Sequence, residues 1–315
     1  MWCSADYAEA RQSTDAKATM TAFLPARTAS RHPLHWPAVA TLLVICWSSG
    51  FVGIRYANEE ANVFLLLFWR TLLSGLLLLP FAIFIGPRLR LRAVLAQMGF
   101  GVMAVFLYLG GFAIAIEQRV PTGLVALMSD LVPLAVAAMS QPLLNERLSR
   151  LQWLGSAIAV VGVLIVSVDS LSFGTAPLWA YVLTMASMLV FALASVLRRG
   201  KKVFDMPVHQ SICIHSLTGA VLFGICAVLQ GDGLQPPMTR NFAIGMVWLV
   251  LIATFGAYSI YYSSLRLFPA SRVSAAIYLS PPVTMIWAWA LFSEPLTIAM
   301  FIGLAVTLLG VWLTS

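Results

Sequence analysis

Apolar positions along this chain of 315 residues come in long blocks, broken by short polar, proline- or glycine-rich joints. Each block is about as long as the ~20 residues an α-helix needs to cross ~30 Å of hydrocarbon. They predict ten spans, at 37–57, 62–85, 93–116, 121–143, 150–168, 177–197, 207–229, 242–265, 270–292 and 298–315. The joints include GPRLRLR at 86–92, RRGKK at 198–202 and QGDGLQPPMTRN at 230–241, none long enough for a separate soluble domain. The period-two alternation of a membrane β-barrel is absent. Residues 1–34 are polar and of mixed charge, without the basic start and apolar core of a signal peptide. They read as a disordered cytoplasmic tail, with Met20 an alternative start. The fold expected is an all-α polytopic membrane protein.

Composition agrees. The chain is 60% apolar and 10% charged, whereas soluble domains carry about 25% charged residues. Lys and Arg set the orientation. With the tail inside, 15 of them fall in the tail and the even-numbered loops, against Arg55, Arg119 and Arg240 in the others. The nineteenth, Arg70, lies well inside a span. Both termini are therefore expected in the cytoplasm, with the protein in the plasma (inner) membrane. The net charge of +7 then has a membrane explanation and requires no nucleic-acid partner. Cys3, Cys46, Cys213 and Cys226 show no paired spacing, so they read as small apolar residues rather than a disulfide framework or metal site. No cofactor is implied.

The two halves repeat. At an offset of 148, residues 121–167 lie on 269–315 without a gap: Pro121 on Pro269, Pro133 on Pro281, Glu146 on Glu294, Gly155 on Gly303 and Gly162 on Gly310. At an offset of 144, LSG at 73–75 lies on LTG at 217–219. Each unit, 37–168 and 177–315, has five spans. An odd number places the second copy upside down, a common construction of secondary transporters.

WSSGFVGIRYA at 47–57, FWRTLLSGLLLLP at 68–80, and the paired blocks running through LLNERL at 143–148 and LFSEPL at 291–296 resemble the EamA branch of the drug/metabolite transporter superfamily. The likeness runs from about residue 37 to the end. It implies ten helices in two inverted five-helix repeats, moving amino acids or other small metabolites, with the fifth and tenth helices peripheral. The family's usual Gly before the Glu is Asn145 in one copy and Ser293 in the other.

Charge inside a span is expensive, about 2.5–3.5 kcal/mol at the centre on insertion scales, so Arg70 and Asp130 are the first candidates for the transport pathway. Both sit at similar depth from the outer face. They are expected to share an aqueous cavity and to pair across it, the alternative being a purely structural ion pair. Trp47 and Ser48 in the first span, Tyr258 and Tyr262 in the eighth and Tyr278 in the ninth add aromatic faces and hydroxyls. Such a lining suits a small zwitterion, with Arg70 meeting its carboxylate. Pro133 and Pro281 are matched candidates for gating kinks. Asp130, and less so His215, are the candidates for carrying a coupling proton. Glu146 and Glu294, near helix starts, read as structural caps.

The function expected is secondary transport of a small metabolite by alternating access, in the direction of export. Broad drug efflux and vitamin or metabolite import are alternatives on the same fold. A membrane enzyme would need a clustered catalytic constellation, and none is read; a sensor would leave the matched prolines unexplained. The partners expected are the substrate, the bilayer, a coupling proton and a second copy in a homodimer.

Overall fold

The computed structural model describes residues 35–314, apart from 145–148, 174, 199–200, 202–204, 232 and 269. The expected tail and Glu146 lie outside the described residues. Among the described residues the chain is helical throughout. Asn62 accepts from Phe64 N at 2.9 Å and starts α2, Val63–Phe84, after α1, His35–Ala57. The third helix, α3, runs Leu91–Gly101, then a π-helical stretch Val102–Leu107, then Tyr108–Glu117. The fourth is broken into α4a, Thr122–Ser129, and α4b, Val132–Leu144. Next come α5, Arg150–Phe173, α6, Leu178–Arg198, and α7, Val208–Leu229. The eighth, α8, starts at the Thr239 cap and runs Arg240–Val247, a π-helical stretch Trp248–Gly256 and Ala257–Leu267. The ninth is again broken, into α9a, Ala270–Ile277, and α9b, Ser280–Phe292; α10 spans Ile298–Thr314.

Eight of these are long and apolar enough to cross a membrane, α4 among them when its two parts are taken together. The break divides α9, and α10 is apolar over a shorter stretch, Ile298–Leu313. The expected proline kinks are therefore breaks. An interior proline costs a helix ~3 kcal/mol, but in the first turn its missing N–H has no intrahelical acceptor to lose. A two-residue interruption at Asp130–Leu131 and at Tyr278–Leu279 puts Pro133 and Pro281 in the first turn of α4b and α9b.

Two antiparallel pairs hold the halves together. In α5 and α10, a Cβ on Gly162 would meet Gly303 O at 2.5 Å, and one on Gly310 would meet Gly155 O at 2.5 Å. Between them Thr307 Oγ1 donates to Ala159 O at 3.4 Å. These are the glycines that repeat at an offset of 148, each touching the other's counterpart. In α2 and α7, Gly75 packs on Leu217 and Gly219 close to Thr71. Only glycine lets these backbones approach so closely, which is how helices associate where lipid removes the hydrophobic drive.

Side-chain bonds sort the loops onto two faces. On one, Glu117 Oε1 accepts from Val63 N, Asn241 donates to Glu60, and Arg55 and Arg119 both donate to Glu59. This is the Glu59 face. On the other, Gln210 donates to the carbonyls of Ala82 and Pro87, and His209 bonds Ile85 O; Arg88 and Arg90 follow in the same loop. This is the Arg88 face.

Candidate functional site

Midway between the faces lies a polar cluster. Arg70, in the eighth position of α2, is ~12 Å along the helix from its start. Asp130 closes the eight-residue α4a, at the same distance from the Glu59 face. The expected ion pair between them is not formed: among the described residues the ion pairs within 4.0 Å are Arg55–Glu59, Arg55–Glu294 and Arg119–Glu59. Arg70 reaches to α8 instead. Its Nη2 donates to Thr254 Oγ1 at 3.5 Å, and that hydroxyl donates onward to Leu249 O, five residues back, at 2.8 Å. The π-helical winding brings Thr254 over Leu249, and π-helical turns recur at functional sites.

The far ends of both charged groups are left over. Arg70 Nη1 and Asp130 Oδ2 are buried without a hydrogen-bond partner. A buried polar group without a partner costs about 1–3 kcal/mol, more when charged. Tyrosines surround them. Tyr258 is within electrostatic range of Arg70 and of Tyr108, and Tyr108 and Tyr278 are within range of Asp130. Tyr108 stacks on Phe191 with ring centroids 4.6 Å apart. Trp47 meets Tyr258 edge-on at 6.0 Å and Tyr261 at 5.4 Å.

The other sequence candidates fall as follows. Ser48 is fully enclosed and donates to the carbonyl and hydroxyl oxygens of Ser280 at 3.2 Å, tying α1 to the break in α9. His215 bonds Gln97 Oε1 at 2.7 Å and lies against Phe100, a ring that also carries the Arg198 guanidinium. These contacts are in α3, α6 and α7, apart from the Arg70 cluster. The Tyr262 side chain lies outside the described residues. Thr254 and Tyr108 were not among the expected residues. The signal for both is the π-helical distortion of α3 and α8, to which hydrophobic periodicity is blind.

The two ends of the path are built differently. On the Glu59 face α4a crosses α9b so tightly that a Cβ on Gly123 would meet Met285 Cγ at 2.2 Å and its Cα at 3.1 Å. Glu294, in the α9–α10 joint, accepts from Thr122 N at 2.8 Å and from Thr122 Oγ1 at 2.6 Å. It caps the first turn of α4a from the opposite half, and Arg55 stands 3.9 Å behind it. Burial pushes the Glu294 carboxyl up; the two Thr122 bonds, Arg55 and Arg119 pull it back. Glu59, half exposed, is held down at about 2 by the Arg119 and Arg55 hydrogen bonds. Toward the Arg88 face the counterpart helices α9a and α4b make no comparable contact among the described residues. There Pro133 is exposed, while its match Pro281 is buried.

Apolar helices of membrane-spanning length, with two broken helices at the depth of a buried polar cluster, are the architecture of a membrane transporter. The comparisons with known proteins agree. The EamA-like transporter family matches residues 35–168 and again residues 178–315, and the chain belongs to that family. It is 26% identical over 277 residues to the uncharacterized inner membrane transporter YedA of Escherichia coli K12, covering 87% of this chain and 88% of that one. It is 25% identical over 285 residues to a probable amino-acid metabolite efflux pump of the same strain, covering 87% and 93%. A crystal structure with 18% identity superposes with a TM-score of 0.63 over 89% of this chain and 96% of that one, which shows the shared fold.

Proposed function

We propose that this protein is a secondary transporter that exports a small amino-acid-like metabolite across the inner membrane by alternating access. The observation that carries the reading is the pair of unsatisfied poles, Arg70 Nη1 and Asp130 Oδ2, buried among tyrosines at the depth of the helix breaks. A purely structural pair would be closed on itself, and buried pairs stabilise poorly even then. An α-carboxylate on Arg70 and an ammonium or proton on Asp130 would satisfy both poles. Trp47 and Tyr258 offer flat apolar faces to a side chain, and Tyr258 is 38% exposed.

Two further points support the mechanism. The antiparallel contacts of Gly155 with Gly310 and Gly162 with Gly303 are those expected of inverted five-helix copies related by a two-fold axis across the helices. The charge bias favours an orientation with the Glu59 face outside and both termini in the cytoplasm. The name of the efflux-pump relative favours amino-acid metabolites and export.

The test is counterflow. Proteoliposomes loaded with a mixture of unlabelled L-amino acids should accumulate one or more labelled members of that set, and Arg70→Ala should abolish it. Failure of any amino acid, carboxylate or amine to exchange would overturn the reading.

A further inference from the structure

The transporter reading uses the centre of the bundle and leaves one cluster unexplained. Glu294 stands at the Glu59 face, away from the Arg70 cluster, yet its side chain is only 18% exposed and both its oxygens are engaged. Its two Thr122 bonds run between the halves, 172 residues apart in sequence. Beneath them lies the closest packing of α4a on α9b, where Gly123 receives Met285. A cap for α4a needs only a local Ser, Thr, Asp or Asn. Here the position before the helix is Pro121, which supplies no side-chain cap, and the cap comes from the other half of the molecule.

We propose that Glu294 is the latch of the Glu59 end, gripping Thr122 while that end is shut and releasing it when α4a leaves α9b. The proposal rests on the transporter reading for its purpose but not for its test. Opening exposes the first-turn N–H groups of α4a to water, which replaces the carboxylate as acceptor. Arg55 does not leave with α4a. It belongs to α1, lies over the Phe292 ring at 5.0 Å and bonds Glu59, so it keeps Glu294 compensated when Thr122 departs. The latch therefore opens without stranding a buried charge.

The experiment uses the full chain with Cys3, Cys46, Cys213 and Cys226 replaced by alanine and Ser129→Cys as a reporter beside Asp130. A membrane-impermeant methanethiosulfonate is applied from the Glu59 face of oriented vesicles. Glu294→Ala should raise the labelling rate roughly ten- to a hundredfold, as loss of hydrogen bonds to a charged acceptor implies, and Glu294→Asp should restore part of the protection. Thr122→Val keeps the backbone donor and should raise the rate only several-fold; it stands in if Glu294→Ala does not fold. An unchanged rate in the folded Glu294→Ala protein, or in Thr122→Val where the alanine variant does not fold, would overturn the latch. Latch-dependent labelling without counterflow of any solute would leave the latch standing and remove the transporter reading. Counterflow with labelling indifferent to Glu294 would do the reverse.

Discussion

The two ends of the path are made from matching sequence and do not look alike. Thr122-Gly123 and Glu294 lock α4a to α9b on the Glu59 face. At an offset of 148 the Arg88 end has Ala270-Ser271 in place of Thr122-Gly123, and no comparable helix contact is formed among the described residues. The proposed alternating access expects one shut end and one open end, since a single chain with two near-equal packings can exchange them. The difference is local chemistry: a glycine that admits Met285, and a threonine that offers a hydroxyl as well as an N–H.

Changes at the contacts that join the two halves should have the largest effect and none of the asymmetry. Gly162→Leu drives a side chain into Gly303 O and Thr307, so it should cost about 1–3 kcal/mol or more of packing and sharply reduce the yield of folded protein on size-exclusion chromatography. Next comes Gly123→Ala, a wedge at the Glu59 end alone, where the new Cβ would press on the Met285 backbone. It should leave the protein folded and raise labelling from that face about tenfold, with no gain at the Arg88 face. Equal gains at both faces would erase the comparison. At the polar cluster, Thr254→Val removes the hydroxyl that receives Arg70; a hydrogen bond involving a charged group is worth about 1.5–3 kcal/mol, so counterflow should weaken roughly tenfold with labelling at both faces as before.

Acid gives the smallest effect, and its sign follows from the surroundings of Glu294. In the shut state burial raises its affinity for a proton above that of a carboxyl in water, against the pull of Thr122, Arg55 and Arg119. Proton uptake thus accompanies closure, and lowering the pH through the range just above the ordinary 4.5 should slow labelling from the Glu59 face. Glu59, held at about 2, remains ionised throughout that range. A labelling rate that rose with acid would contradict the assignment.

Much of this was legible in the residues. Ten apolar blocks, a lone Arg70 and a Pro–Glu–Gly set repeated at one offset were enough to expect a helical transporter with a midplane site. Prolines 133 and 281 marked the right places, although the chain breaks there rather than kinks. What stayed hidden depends on helix winding and on distance in sequence. The π-helical stretch that presents Thr254 to Arg70 leaves hydrophobic periodicity nearly unchanged. Glu294 looks like an ordinary cap until the fold brings Thr122 to it from the other half. The Arg70–Asp130 pair was inferred from equal depth, but depth does not fix the direction of a side chain, and Arg70 turns to α8.

The most direct test of the proposed alternating access about the Arg70 cluster reads both ends at once. Spin labels at Gln118 and Pro295 report the Glu59 face, and labels at Gln141 and Phe268 report the other. Pulsed dipolar spectroscopy should find a mainly short distance at the first pair and a mainly long one at the second, with Glu294→Ala shifting the two populations in opposite directions. Single, unshifted distances at both pairs would contradict the account.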